Sequence, residues 1–370
     1  MPVRKFLVPA VVYLLINVLF VDKYTLRITE WHYLCDIVYL FLGIGLVFLT
    51  SWLSKRELPF RALLVCGGAV YVALMMFVQY RIDPMSLQVD RWSAISNFLD
   101  NLFHGIYPYA AQTHLGGYGS PFPVWQVLHI PFYALGNVGL SFFAVLILLL
   151  YTVAKTESPR IAVIMFLWIA VSPAINYEVA VRSDLFTNFM AVCALCLWLR
   201  YKRVSLNEHV CLIALIAGLC ASTRLAAVIP LAFMYGYDFI RLGWLKQIVF
   251  IVVTLAVFAL TFLPFLLWNT DQLLFFQYNP FVLQTRQGSP VSFVVFAVIA
   301  VSWTLYKKSD MQHFGLHVGS LLAILVIVTF AWNMFATGNC QLYSSAYDIT
   351  YLNMSMPFWI LEIGEYSANP

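Results

Sequence analysis

The chain has 370 residues, of which 62% are hydrophobic and 10% are charged, whereas soluble domains carry about 25% charged residues. This composition excludes a soluble globular protein, and the net charge of +4 is divided among short turns between apolar segments. We expect an all-α polytopic membrane protein that forms one integral membrane domain over residues 1–370, with membrane lipids and no nucleic acid among its partners.

About eleven or twelve apolar stretches approach the length of a membrane-spanning helix, which is about 20 residues. The stretches before residue 81 are predicted near 6–22, 33–53 and 61–80. Later stretches are predicted near 138–154, 160–172, 184–200, 208–221, 225–240, 246–268, 291–306 and 313–335, with a weak last one near 349–361. Several are too short to cross hydrocarbon upright, and short, broken helices are tolerated where they line a water-filled cavity.

Lysine and arginine clusters predict the orientation of the chain. They are Arg4/Lys5, Lys55/Arg56, Arg61, Lys155/Arg160, Arg200/Lys202/Arg203, Arg241/Lys246 and Lys307/Lys308. By the positive-inside rule these turns face the cytoplasm. The loops near 23–32, 81–137, 173–183, 269–290 and 336–348 then face outside. Both termini are expected in the cytoplasm, and the first apolar segment is expected to be retained because no small-residue cleavage site follows it.

The long external loop, 81–137, contains two predicted helices. Residues 91–104 have an amphipathic helical pattern, with Trp92, Ile95, Phe98, Leu99, Leu102 and Phe103 on the apolar face. This pattern indicates a helix that lies on the membrane surface. Residues 123–135 are apolar but short for a span, which predicts a second interfacial or partly inserted helix.

Charged residues recur in the predicted external loops. They are Asp83, Asp90 and Arg91, then Glu178, Arg182 and Asp184, then Arg224 at the tip of two short helices, then Asp271 and Arg286. Several arginines around a carboxylate at a membrane face suit the binding of a lipid phosphate beside a base. Ordinary solvated loop charges are the alternative.

Four segments, in this order, carry a resemblance to a known family. The first is Asp90 followed by Gly105-Ile106-Tyr107-Pro108-Tyr109 and an aromatic, proline-containing stretch that opens an apolar helix. The others are Val181-Arg182-Ser183-Asp184-Leu185, the run Gly218 to Arg224 with Ile229-Pro230-Leu231, and Leu263-Pro264-Phe265 to Trp268 with Arg286 and Ser289-Pro290. Together they resemble the GT-C polytopic glycosyltransferases, in particular the branch, similar to glycosyltransferase family 87, that uses polyprenyl-phosphate mannose.

The resemblance covers roughly residues 60–310 and implies a GT-C-like module over 61–310. Extra helices in residues 1–60 precede it, whereas the key acid of that family commonly follows the first span. The C-terminal helices of residues 311–370 match no part of the family pattern. The roles of the two ends of the chain, and the acceptor side of the site, are therefore left open.

By this resemblance Asp90 is the catalytic carboxylate of a hexosyltransferase. The enzyme would move a sugar, such as mannose, from a polyprenyl-phosphate donor to a lipid or glycan acceptor. A phosphate-linked sugar has a good leaving group, so the acceptor hydroxyl needs a base more than the donor needs an acid, and one aspartate can supply it. A single displacement of this kind inverts the anomeric centre.

Arginine is expected to hold the leaving phosphate, because its planar fork stays charged and binds phosphate oxygens in pairs. The expected donor phosphate ligands are Arg224 first, then Arg286 and Arg182; for Arg224, a snorkelling residue at a helix end is the alternative. The expected substrate-binding residues are Arg91, Tyr107, Tyr109, His114, Tyr118 and Asp184. The tyrosines, with Trp125, would form a sugar-stacking wall, and an interfacial aromatic belt is the alternative.

No cofactor is expected. The spacing of His104, His114 and His129 is unlike that of metal ligands, and the acidic pair by which some GT-C enzymes bind a divalent ion is absent near Asp90. Two other classes stay open: a polysaccharide polymerase or ligase acting on lipid-linked glycans, and a membrane transporter, although no internal symmetry is visible. A bacterial plasma membrane with the site facing outside is favoured over the endoplasmic reticulum.

Overall fold

The computed structural model describes the backbone of residues 3–343 and 348–368. These residues form helices joined by turns, with one isolated bridge between Gln112 and Tyr118. The helices are α1 (Val3–Thr25), α2 (His32–Ser54), α3 (Phe60–Arg81), α4 (Arg91–Phe103), α5 (Pro123–Leu128), α6 (Ile130–Ala134), α7 (Ser141–Thr156), α8 (Pro159–Ala170), α9 (Pro173–Ala180), α10 (Leu185–Tyr201), α11 (Val210–Ala221), α12 (Ile229–Arg241), α13 (Trp244–Trp268), α14 (Pro280–Thr285), α15 (Pro290–Lys307), α16 (Phe314–Thr337) and α17 (Met356–Ala368).

The all-α polytopic membrane architecture is confirmed, but the expected number of spans is too high. Each predicted stretch contains a helix, yet in the described part of the chain seven segments are long and apolar enough to cross a membrane. They are Phe6–Thr25, His32–Ser54, Phe60–Arg81, Val138–Thr156, Trp244–Trp268, Asp271–Lys307 and Phe314–Thr337. An eighth arises if α8 and α9, which meet at a 71° bend, form one broken span.

The count falls because several apolar helices are short. Helices α11 and α8 have 12 residues each, and α12 and α17 have 13, so at 1.5 Å per residue each is about 20 Å long. Helices α8 and α17 are mostly buried among neighbouring helices, whereas α11 has one exposed apolar face that includes Leu212 and Leu215. Hydropathy alone cannot separate such a buried helix from a membrane span, because both are apolar on most sides.

Serine followed by proline starts three of the helices. The hydroxyl groups of Ser158, Ser172 and Ser289 accept hydrogen bonds, 3.1 to 3.2 Å long, from backbone amides in the first turns of α8, α9 and α15. The following proline lacks an amide hydrogen that the first turn would leave unpaired, so this pair fixes where a helix begins. The break between α8 and α9 is one of these starts.

The two ends of the chain pack into the main core with the helices between them. In α1, the Asn17 side chain accepts hydrogen bonds from the Ser172 hydroxyl at 2.6 Å and from the Ala174 amide at 3.1 Å. These bonds satisfy polar groups that the bend between α8 and α9 leaves free. The Tyr13 hydroxyl also donates to the Trp168 carbonyl at 2.6 Å. Helix α1 is therefore an integral part of the bundle.

Helix α4 has the expected apolar face, but this face packs on protein. Ile95, Phe98 and Leu99 are at most 2% exposed, and the Phe98 ring lies 5.7 Å from the Phe265 ring in α13. Burying each of these side chains contributes roughly 1.5–3 kcal/mol. The prediction that this face lies on the membrane surface is therefore wrong for these residues, and the loop is fixed to the end of α13 instead.

The stretch 123–135 forms two short helices, α5 and α6, which meet at His129. The His129 ring is buried, with Nδ1 2.8 Å from the Trp125 carbonyl and Nε2 3.0 Å from the Ser141 hydroxyl. This histidine therefore joins the loop to the start of α7. Both of its ring nitrogens contact protein groups, so it acts as a packing residue.

The orientation of the bundle is testable by cysteine labelling. Ser86 and Glu57 are both exposed, on turns that the charge pattern assigns to opposite sides. In a protein whose native cysteines are replaced by serine, we expect an impermeant thiol reagent to label Ser86→Cys in intact cells and Glu57→Cys only after permeabilisation. Thr113, in the same predicted external loop, is buried and therefore unsuitable for labelling. Reversed labelling would put Asp90 in the cytoplasm and favour a nucleotide-sugar donor.

Candidate active site

A cavity of about 420 Å³ lies where the 81–137 loop meets the helix ends. Its walls come from the end of α1, from residues 88–94 and 117–121, from 177–189, from the α11–α12 break, from 283–293, from α16, and from 348–354. Five basic and four acidic side chains line it: Lys23, Arg27, Arg91, Arg224, Arg286, Asp90, Glu178, Asp184 and Asp348. The excess of one positive charge favours an anionic ligand, which would bind beside a carboxylate.

Asp90 lies directly before α4 and is half-buried in the cavity wall. Its side chain does not cap α4; instead Oδ2 accepts a hydrogen bond of 2.8 Å from the Thr113 hydroxyl. The Thr113 hydroxyl oxygen in turn accepts from the Gly117 amide at 2.9 Å. A side chain at Gly117 would bring Cβ to 3.0 Å from Asp90 Oδ2, so the glycine keeps the approach to this carboxylate open.

Arg91 is turned away from its neighbour Asp90. Its Nη1 donates to the Ser183 hydroxyl at 3.0 Å and lies 3.4 Å from Glu178 Oε1, and its guanidinium covers the Tyr351 ring at 5.2 Å. Burial would lower the pKa of Arg91, but Tyr351 and Glu178 more than offset it and raise that pKa above its usual value. Arg91 is thus a permanent cation in the cavity wall.

Asp184 and Arg224 form a buried ion pair in the cavity wall, next to Ser183, which Arg91 contacts. The Oδ2 atom of Asp184 accepts from Arg224 Nη2 at 2.5 Å and from the Trp125 indole at 2.7 Å. Burial would raise the pKa of Asp184, but Arg224 and then Arg91 lower it below its ordinary value. Asp184 Oδ1 and Arg224 Nε have no hydrogen-bond partner among the described residues, so the pair retains unused capacity for a polar ligand.

The break between α11 and α12 positions Arg224. The carbonyls of Ser222 and Thr223 are left free by the end of α11, and they accept hydrogen bonds from the Val124 and Phe122 amides at 3.1 and 3.2 Å. The loop therefore docks on the break through its backbone. This contact also brings the Trp125 indole onto Asp184, and Asp184 in turn pairs with Arg224, so the buried arginine has a counter-ion.

Arg286 and Tyr118 lie at the cavity rim. Arg286 follows α14, is exposed, and pairs with no acidic residue in the described part of the chain. The Tyr118 ring stacks on Tyr278 at 5.5 Å and its hydroxyl accepts from the Gln112 side chain at 3.0 Å. Of the residues expected to bind substrate, the cavity thus brings together Arg91, Tyr118, Asp184, Arg224 and Arg286 with Asp90.

Four other expected site residues lie outside the cavity wall. Arg182 Nη2 donates to the Gln79 carbonyl at 2.6 Å and so caps the end of α3. His114 bridges the Ser93 hydroxyl at 2.7 Å and the Leu87 carbonyl at 2.8 Å.

Tyr107 and Tyr109, the other two, are buried against the end of α13, with rings 5.9 Å from Trp268 and 5.4 Å from Phe265 respectively. These two tyrosines form neither a sugar-facing wall nor an exposed belt. They hold the loop on the end of α13, whereas Arg182 caps α3 and His114 links Leu87 to Ser93 within the loop.

The structure adds cavity residues that sequence reasoning missed. They are chiefly Lys23, Tyr24 and Arg27 from the end of α1, and Asp348, Thr350 and Tyr351 from the segment before α17. Lys23 and Arg27 are basic residues in a loop predicted to face outside, where the positive-inside rule expects few. This departure could have indicated a functional role. Asp348 gave no such indication, because its pairing with Lys23 spans 325 residues.

One group of described side chains outside this cavity has the spacing of metal ligands. Asp22, His32 and Asp36 each offer one ligand atom, and these atoms lie within 4.8 Å of one another. His32 Nδ1 already lies 2.6 Å from Asp22 Oδ1, and the Tyr343 hydroxyl donates to Asp22 Oδ2 at 2.6 Å. These hydrogen bonds account for the positions of Asp22 and His32, whereas Asp36 Oδ1 has no hydrogen-bond partner among the described residues.

A second cavity, of about 630 Å³, lies at the other end of α10. Leu185 and Phe189 at the start of α10 line the first cavity, whereas Arg200 and Tyr201 at its end line the second. The side chains between them are almost all buried and apolar, including Met190, Cys193 and Leu197 at 0% exposed. The part of α10 between the two cavities is therefore mostly buried and apolar.

No protein family model, no curated protein and no solved structure matches this chain. The chemistry of the first cavity therefore has to be inferred from its own residues.

Proposed function

We propose that this protein is a GT-C-like membrane glycosyltransferase that moves a hexose, such as mannose, from a polyprenyl-phosphate donor to a lipid or glycan acceptor. The observation that carries this proposal is the meeting of Asp90 with the Asp184–Arg224 pair and Arg286 around one cavity. These residues come from distant parts of the chain. They combine an unpaired carboxylate with arginines at the end of apolar helices, as a lipid phosphate and a base require.

Arg224 and Arg286 are the proposed ligands of the donor phosphate. Arg224 is fixed by Asp184 but keeps N–H groups free, and Arg286 has no acidic partner among the described residues. Apolar side chains, including Phe189, Leu325 and Val326, line the cavity beside them. The donor would place its phosphate at the arginines and its first isoprene units against this apolar wall. It would thus match both the polar and the apolar lining of the cavity.

Asp90 is the proposed general base. Thr113 occupies one lobe of its carboxylate, and no described cation pairs with it, so a lone pair is available for a proton. In the reaction the acceptor hydroxyl oxygen bonds to the anomeric carbon while its proton passes to Asp90. The bond from that carbon to the phosphate oxygen breaks, and the electron pair leaves on the phosphate held by arginine. The anomeric centre inverts.

The layer of apolar side chains on α10 favours an enzyme over a transporter. Met190, Cys193 and Leu197 on the described α10 are buried and apolar, so this helix offers a polar solute no ligands over the stretch between the two cavities. Substrates that approach from one face and react there need no polar path through the bundle. The proposed setting is a bacterial plasma membrane with the first cavity facing outside, and the endoplasmic reticulum is the alternative.

The proposal is tested with purified protein in lipid nanodiscs and a panel of radiolabelled polyprenyl-phosphate sugars, with a membrane lipid extract as the acceptor source. We expect one donor to be consumed, with its label in a new glycoconjugate or, without acceptor, in free sugar. A parallel panel of nucleotide sugars serves as the control. Consumption of a nucleotide sugar alone would contradict a lipid donor, and consumption of none would favour transport.

A further inference from the structure

The first cavity has a second polar end, built mainly by parts of the chain outside residues 61–310. Lys23 and Tyr24 come from the last turns of α1, and Asp348 and Tyr351 come from the segment that leads to α17. We call Lys23, Tyr24, Tyr177, Asp348 and Tyr351 the α1 subsite. It takes no part in the donor binding or base chemistry proposed above, so its polar groups require their own explanation.

Lys23 and Asp348 form a rigid polar group in the wall of this subsite. Lys23 is 7% exposed, and its ammonium group pairs with Asp348 Oδ2 and lies 3.3 Å from the Thr350 hydroxyl. Asp348 Oδ1 accepts from the Thr350 amide at 2.9 Å and from its hydroxyl at 2.7 Å. A charged pair at the end of a membrane helix is costly, and such residues commonly bind a substrate.

Aromatic rings flank this pair. The Tyr24 and Tyr177 rings lie 4.0 Å apart at 31°, and both line the cavity and are only half-buried. Tyr351 lines the cavity beside them and lies under the Arg91 guanidinium. Because Arg91 adjoins Asp90 in the chain, this contact connects the α1 subsite to the proposed base.

We infer that the α1 subsite binds a sugar ring of the acceptor, so that the acceptor is a glycan or glycolipid and not a simple lipid alcohol. A sugar ring has an apolar face, which packs on aromatic rings, and hydroxyl groups, which pair with ammonium and carboxylate groups. The tyrosines and the Lys23–Asp348 pair supply both. This inference rests on the proposed function, since it names the acceptor of that reaction.

Binding of simple glycosides tests the inference without requiring turnover. The probes are octyl α-mannoside, octyl β-glucoside and octyl β-galactoside, with 1-octanol as the sugar-free match, titrated calorimetrically into protein in phospholipid nanodiscs. We expect at least one glycoside to bind and octanol not to bind specifically. Tyr24→Leu should weaken glycoside binding about tenfold, near the upper limit for one aromatic contact. Tyr80→Leu, at a highly exposed tyrosine outside the cavity, is the matched control.

A charge swap separates recognition from folding. Lys23→Asp combined with Asp348→Lys restores an ion pair but loses the bonds from Thr350 to Asp348, so it should keep more thermal stability than either single change. It reverses the donor and acceptor positions that a sugar would meet. We expect glycoside binding to stay weak in the swapped protein while donor binding is unchanged. Wild-type glycoside affinity in the swapped protein, or equal binding of octanol, would overturn the inference. Failure to bind any polyprenyl-phosphate sugar contradicts the proposed function, whereas failure to bind any glycoside contradicts this inference alone.

Discussion

Asp90→Asn is expected to fold and bind the lipid donor but to transfer sugar at least about 10²-fold more slowly, the lower end of the usual general-base contribution. The amide keeps the size of the side chain and can still accept the Thr113 hydrogen bond, so donor affinity and thermal stability should change little. It lacks the basic lone pair that takes the acceptor proton. The measurement is the transfer rate at saturating donor, with donor affinity determined separately.

Two aspartates of the same loop serve as controls. Asp83 caps a short turn through the Met85 amide, and Asp100 is 57% exposed and bonds to the Tyr133 hydroxyl. Asp83→Asn and Asp100→Asn should therefore cost much less transfer. Near wild-type turnover in Asp90→Asn, with Asp184→Asn inactive, would move the base to Asp184. Full activity in both would remove the transferase proposal altogether.

Arg224→Ala is expected to abolish most donor binding and transfer, whereas Arg224→Lys should retain a fraction of both. Lysine keeps the charge but cannot bond Asp184 and a phosphate through one planar fork. A hydrogen bond to a charged group contributes about 1.5–3 kcal/mol, so losing one phosphate contact corresponds to roughly ten- to hundredfold weaker binding. Donor KM and kcat measured for both variants test this expectation.

Arg224→Ala also leaves Asp184 buried without its cation, which usually costs about 3–5 kcal/mol of stability. The double variant Arg224→Met with Asp184→Asn removes both charges and should recover most of that stability without recovering donor binding. Asp184→Asn alone keeps Arg224 and should be intermediate in transfer. If the double variant binds donor like the wild type, Arg224 only stabilises the fold, and the snorkelling alternative would be preferred.

Much of the helical architecture could be read from the sequence. Apolar stretches and the Lys/Arg clusters between them located most of the long helices to within a few residues, but α9 and α14 lie in stretches predicted to be loops, and α17 begins seven residues later than predicted. The number of spans could not, because a short helix such as α17 is apolar like a true span but is enclosed by other helices. Enclosure is a tertiary property, and hydropathy reports only transfer out of water.

Part of the candidate site could also be predicted from the sequence. Asp90, Asp184 and Arg224 stand at helix ends in polar loops, where a charge has few purely structural uses. Arg182 has the same setting, but its backbone is left-handed, with φ of 56°, and its side chain caps α3. The Lys23–Asp348 pair could not be predicted, because the residues are 325 positions apart and no local sequence pattern connects them.

The most direct test of the active site is a cryo-electron microscopy structure of Asp90→Asn with the donor identified by the panel. The expected density places the donor phosphate within about 3 Å of Arg224, the length of a charge-assisted hydrogen bond, with Arg286 closing over it. The anomeric carbon should face residue 90, and the lipid should follow the apolar wall near Phe189. Donor density with the phosphate away from Arg224 and the sugar remote from residue 90 would contradict the account.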